Sequence, residues 1–236
     1  MNQATMFMYL IAIIFLPVVI LFSLYLVYML IFNLLTFSSK TSMMLTIFIM
    51  LTSFSPSLLF QHADGIFLFS ISSWNFYIHP IGFLLPVLIS CLLIMKTKVS
   101  WPFLLSSLIP VSLTAYLMTT PIIEKGIVSP FPLWLFPPLV AAIISVLNKE
   151  VLQNKLFLYA FSLGVFGVII GADLAHLPTL IQLSTSSSMH ATIGGAGSLD
   201  LIFLSGIFSV LFSKLFLLGR KLLHFEQMNK TEYLHM

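Results

Sequence analysis

Two of the seven acidic residues in this 236-residue chain interrupt otherwise apolar sequence. Asp173 lies in Val168-Ile169-Ile170-Gly171-Ala172-Asp173-Leu174, and Asp200 precedes Leu201-Ile202-Phe203-Leu204. An ionised carboxylate at the centre of a membrane helix costs about 2.5–3.5 kcal/mol even on insertion scales, so such a residue normally faces a cavity or a partner. Two carboxylates within hydrogen-bond reach do not readily both ionise, and sharing one proton supplies a base and an acid together. Such a dyad activates water against a peptide carbonyl while protonating the oxygen or the leaving nitrogen. The plainer alternative is that each aspartate ends or caps a helix at the interface, and Asp200 is well placed for that. Glu124, Glu150, Glu226 and Glu232 sit in connectors or the tail, where a solvated carboxylate is the default. Asp64, next to Gly65, reads as a turn.

The residues around the aspartates extend this chemistry. Gly194-Gly195-Ala196-Gly197-Ser198 weakens any helix, lets the chain bend at membrane depth and allows a second backbone to approach closely. Gly194, Gly195 and Gly197, with His176 and His190, are therefore the candidate substrate-binding residues. Gly164, Gly167 and Gly171 follow helical spacing, and Gly167 with Gly171 forms the small-xxx-small pattern of close helix packing. At 100° per residue Asp173 lies roughly 180° from Gly164, so the aspartate and the glycine stripe face different neighbours. His62, His79, His176 and His190 all fall in two polar connectors. The spacing of Asp173 and His176 is compatible with metal ligation, but a lone interfacial histidine is more often a polar loop residue. No metal or cofactor is expected.

The elements that must position these residues are membrane spans. Hydrophobic residues make up 59% of the chain and charged residues 7%, a balance that excludes a soluble domain. The apolar runs have the length that a helix needs to cross a hydrocarbon core of roughly 30 Å. They predict an all-α, polytopic helix bundle, a single transmembrane domain over 1–236 with about seven spans: 6–36, 43–60, 80–95, 101–120, 130–147, 156–177 and 199–219. Pro56, Pro80 and Pro86 are potential breaks in the second and third. The first run is too long for a secretory signal and lacks a cleavage site, so it is expected to be retained. The lone Cys91 lies in an apolar run and makes no intrachain disulfide.

Assigning connectors alternately to the two sides places Lys40, Lys96, Lys98, Lys149, Lys155, Arg220, Lys221 and Lys230 together, with Lys214 snorkelling to the same side. Only Lys125 falls opposite. The bias predicts an outer N-terminus and a cytoplasmic C-terminus. Scattered basic residues form no nucleic-acid patch; the lipid bilayer and a membrane peptide substrate are the expected partners. Two connectors, Gln61–His79 and Ala175–Ser198, lack Lys and Arg and fall outside. The centre of the first, Ile66–Ile78, is aromatic and β-branched and predicts a short hairpin turning near Ser72 and Ser73.

From about Ile78 onward the chain resembles an uncharacterised prokaryotic membrane-protein family, domain of unknown function sixteen-fourteen. The likeness rests on Ile170-Gly171-Ala172-Asp173-Leu174 and on Ile193-Gly194-Gly195-Ala196-Gly197-Ser198-Leu199-Asp200, followed by Ile202-Phe203-Leu204-Ser205-Gly206. Weaker echoes are Pro80-Ile81-Gly82-Phe83-Leu84-Leu85-Pro86 and Val128-Ser129-Pro130-Phe131-Pro132. Where His176 stands the family usually has asparagine, and it has more glycine at Phe83 and Leu84. The resemblance implies a prokaryotic cell-membrane location and strengthens the choice of Asp173 and Asp200 without naming a reaction. A more distant likeness is to intramembrane aspartyl proteases of the presenilin and prepilin-peptidase type, which place one aspartate on each of two neighbouring spans. Their second aspartate follows Gly-x-Gly directly, whereas Ser198 and Leu199 intervene here.

The leading expectation is a membrane-embedded aspartyl hydrolase, a protease using an Asp173/Asp200 dyad, with an extended peptide adding as a strand to the outer aromatic segment. A proton- or cation-coupled transporter using the same carboxylates is the alternative, and a non-catalytic membrane scaffold the third.

Overall fold

The computed structural model describes residues 3–54, 65–123, 125–183 and 188–233. Pro56, His62, Asp64, Glu124 and positions 184–187 lie outside the described residues, as do the side chains of Glu226 and Glu232. Contacts divide the chain into two compact units, Met1–Phe54 and Ser55–Met236.

The first unit is a helical hairpin in which α1 (Gln3–Leu34) packs on α2 (Ser39–Phe54). The chain leaves α1 through Thr36, at φ 63°. There the N–H groups of Thr36 and Phe37 return to the carbonyls of Asn33 and Phe32 at 3.1 and 3.2 Å, satisfying acceptors that the helix end exposes. Ser38 then starts α2 by accepting from the Thr41 N–H at 3.2 Å, the usual role of a serine before a first turn.

The second unit is built around α7 (Leu156–Val168), buried on nearly every side. It packs against α3 (Leu85–Thr97), α4 (Trp101–Leu117), α5 (Phe136–Leu147) and α9 (Leu201–Tyr233). The glycine stripe makes this possible, and it divides between two neighbours. A methyl group on Gly164 would collide with Ser205 and Ser209 of α9, and one on Gly167 or Gly171 with Val111 or Ser112 of α4. Prolines mark helix starts: Pro102 and Pro137 fall in first turns, where the missing N–H has no intrahelical partner to lose.

Four helical stretches are long and apolar enough to cross a membrane: Phe15–Leu34, Pro80–Thr97, Lys149–Gln182 and Leu201–Leu222. Ser39–Thr52, Trp101–Leu117 and Leu133–Leu147 are shorter apolar helices. All seven expected runs thus contain helix. Pro80 and Pro86 do not break the third: Pro80 opens a π-helical turn, Pro80–Leu84, that runs into α3. The Leu85 N–H donates to Pro80 O, a wide register that accommodates the missing donor of Pro86.

The bundle is not purely helical. β1 (Ile66–Ile71) and β2 (Trp74–Ile78) form the expected antiparallel hairpin, turning through Ser72 at φ 56°. β5 (Met189–Ile193) then lies parallel to β2, giving the order β1-β2-β5. A second hairpin pairs β3 (Thr120–Ile122) with β4 (Gly126–Val128). Both edges of β2 are taken by the chain itself, and β1 and β5 form the outer edges of the sheet. One expectation is corrected here. The connector expected from Ala175 begins only after α8 (Ala175–Gln182), because a π-helical turn at Ile169–Leu174 carries the helix on and Pro178 does not end it. The short α6 (Lys149–Leu152) leads from α5 toward α7.

Candidate functional site

Asp173 is placed by the π-helical turn that joins α7 to α8. The wide turn shifts the residues after it around the helix axis. Asp173 lines a cavity of about 510 Å³, whereas His176, three residues on, is buried against α4. The His176 ring stacks on Tyr116 with centroids 4.4 Å apart, and Nε2 lies 3.1 Å from the Tyr116 carbonyl. The pairing of Asp173 with His176 that the spacing permits is therefore not formed, and His176 does not line the cavity.

Asp200 is placed by the start of α9. Its backbone is extended (φ −68°, ψ 147°), and its carbonyl accepts from the Leu204 N–H at 2.8 Å. Its two carboxylate oxygens accept from the N–H groups of Ile202 at 3.0 Å and Ala196 at 3.3 Å. Asp200 is thus a helix cap, as its sequence position allows, and it also lines the cavity that Asp173 lines. The two carboxylates are close enough to interact electrostatically. Asp173 has no hydrogen-bond partner among the described residues. One carboxylate is held by backbone donors and the other is not.

The glycine run forms the turn leading into Asp200. Gly195 N–H donates to Thr192 O (3.2 Å), Gly197 N–H to Gly194 O (2.9 Å) and Asp200 N–H to Gly197 O (3.1 Å). Gly194 and Gly197 have φ of 77° and 64°, conformations open to glycine and costly for other residues. The backbone that approaches this run is the chain's own. A methyl on Gly82 would strike the Gly194 carbonyl, and one on Gly194 would lie 2.6 Å from Phe83 N. Gly194 and Gly195 line the cavity; Gly197 does not. His190 lines it too, with its ring stacked on Tyr77 at 5.3 Å.

His79 holds the other side of that contact. Its Nδ1 accepts from the N–H groups of Ile81 (3.2 Å) and Gly82 (3.1 Å), capping the π-helical turn. Burial pushes its pKa below the usual histidine value, in keeping with an unprotonated Nδ1.

Sequence reasoning missed the wall opposite β5. Lys125 and Gly126–Ser129 line the cavity from the β3–β4 hairpin, and Phe76 and Trp134 add aromatic surface. The signal for Lys125 was present, since it alone breaks the charge asymmetry of the connectors. Among the described residues no three of His, Cys, Asp and Glu gather as metal ligands.

The fold defines a mostly helical membrane protein, with an acidic, partly apolar cavity where two of its long helices meet a small sheet. The chain belongs to the family described as Protein of unknown function (DUF1614), whose family model matches residues 77–212. That range contains both aspartates, the glycine run and the β3–β4 contribution to the cavity. No curated protein and no solved structure matches the chain.

Proposed function

We propose that the protein is a membrane-embedded aspartyl hydrolase that cleaves peptide substrates with Asp173 and Asp200. The observation that carries this is the convergence of two carboxylates from different helices on one cavity, only one of them with hydrogen-bond donors. Donors favour the ionised form of a carboxylate, so Asp200 is the base that takes a proton from water. Asp173 carries the shared proton and gives it to the carbonyl oxygen as the hydroxide adds. Collapse of the tetrahedral intermediate then sends a proton to the leaving nitrogen. The placement on two neighbouring helices is similar to that in intramembrane proteases of the presenilin and prepilin-peptidase type.

In this proposal all seven apolar helices cross a prokaryotic cell membrane, with the N-terminus and the cavity outside and the lysine-rich connectors in the cytoplasm. The second reading, a proton- or cation-coupled carrier, is favoured by the helix irregularities that frame the cavity, an arrangement that discontinuous transporter helices share.

The test is cleavage of a single-span membrane peptide by purified protein in liposomes. Asp173→Asn and Asp200→Asn should each lower the rate by about 10²–10⁴-fold, and the double variant should be no worse, because residues acting as one unit are not additive. Intact substrate with wild-type protein, together with pH- or cation-dependent uptake lost in the same variants, would establish the carrier instead. A carboxylate separation above about 10 Å with protein packed between would eliminate the dyad, since no single water bridges that distance.

A further inference from the structure

The second unit has another cavity, which shares no lining residue with the aspartate cavity. It has a volume of about 420 Å³ and is lined by Lys149, Glu150, Gln153, Asn154, Phe157 and Leu217, among others. Lys214 sets its ammonium over the ring of Phe157, 6.0 Å from the centroid. Lys214 lies inside the apolar stretch Leu201–Leu222, about 12 Å of helix rise from its end. It has no hydrogen bond or ion pair among the described residues, and a half-buried lysine at that position is costly without an anion or water at its head. Lys214 thus neighbours the lining residue Phe157, and Lys149 is exposed in the lining itself, with Gln153 and Asn154. Nearby, Lys155 is tied to the end of α3 by a bond from Nζ to Thr97 O at 3.3 Å. That bond brings the Lys96 and Lys98 end of α3 to the same end of the bundle.

We propose that this cavity binds the phosphate of an anionic phospholipid, with Lys149 and Lys214 neutralising its charge and the amides donating to its oxygens. Phe157 and Leu217 add apolar surface to the lining, which an acyl chain covers and a free phosphate does not. Glu150 opposes an anion, but it is exposed, where solvent and salt screen it. The site is independent of the hydrolase reading.

Native mass spectrometry of the full chain, released from membranes of mixed phosphatidylglycerol and phosphatidylcholine, tests this directly. Phosphatidylglycerol should be retained over phosphatidylcholine, and Lys149→Gln and Lys214→Met should each reduce that preference about fivefold. Lys149→Gln alters an exposed side chain and leaves the core intact, so its result stands even if Lys214→Met perturbs packing. Lys98→Gln, at an exposed lysine outside the cavity, should change the preference less than twofold. Equal retention of the two lipids overturns the proposal. So does a Lys98→Gln effect as large as that of Lys149→Gln, which would mark diffuse surface attraction, and so does displacement of the lipid by millimolar inorganic phosphate alone.

Discussion

At the scale of single residues, Asp200 carries two duties that substitution separates. Its carboxylate caps α9 through Ile202 and Ala196, and losing a cap costs about 0.5–2 kcal/mol. Asparagine retains an acceptor oxygen and alanine does not. Asp200→Asn should therefore melt close to wild type while Asp200→Ala melts lower, as thermal unfolding followed by circular dichroism would show. If both variants are equally inactive, the loss belongs to the carboxylate and not to the cap. His79 gives a pH prediction. Burial holds its folded pKa below the ordinary histidine value of about 6.5, so below that value the unfolded chain binds more protons than the folded one. Stability then rises with pH in this window and is lost as pH falls from about 6.5 through the folded pKa. Melting temperatures at pH 7 and pH 5 should differ less in His79→Asn than in wild type, because asparagine still accepts from the π-helical turn but does not titrate.

At the scale of elements, the contact between the π-helical turn at Pro80–Leu84 and the glycine run fixes the strand-to-helix turn that delivers Asp200. Gly82 meets the Gly194 carbonyl so closely that a single methyl has no room, and overpacking of this kind costs about 1–3 kcal/mol or more where backbone must move. Gly82→Ala should lower the melting temperature clearly. Gly219→Ala, in α9 with nothing within 4 Å of the added carbon, should be neutral or stabilising by up to about 1 kcal/mol, since alanine is the better helix former. Equal effects from the two would show that Gly82 is not a contact point. The sheet acts similarly: β2 holds β5 in parallel register from Trp74–Met189 to Ile78–Ile193, and β5 lines the cavity beside the aspartates.

At the scale of the whole molecule, the testable quantity is which way the chain faces. On a Cys91→Ala background, cysteine at Ser72 should react with a membrane-impermeant maleimide in intact cells, and cysteine at Gln153 only after lysis. Both positions are exposed, so accessibility within the protein does not limit either reaction. The reverse pattern would put the aspartate cavity on the cytoplasmic side and the cavity at Lys149 outside.

What the linear order of residues determined is what short-range physics decides. Apolar runs without charge must become helices in lipid, because only a helix or a closed barrel satisfies its backbone there. The β-branched, aromatic stretch 66–78 folds back on itself at Ser72 within a dozen residues. Asp200 caps the helix it precedes for an equally local reason. The remaining features join residues far apart in the chain, and no periodicity encodes them. β5 pairs in parallel with β2 from more than a hundred residues later in the chain. The π-helical turn at Ile169–Leu174 sends Asp173 to the cavity and His176 to Tyr116, although α-helical spacing puts the two on one face. The glycine run receives Gly82 from more than a hundred residues earlier, and Lys125 reaches the aspartate cavity from a hairpin with no sequence link to either carboxylate. Tertiary packing decided these, because they depend on which backbones approach one another once the helices have assembled.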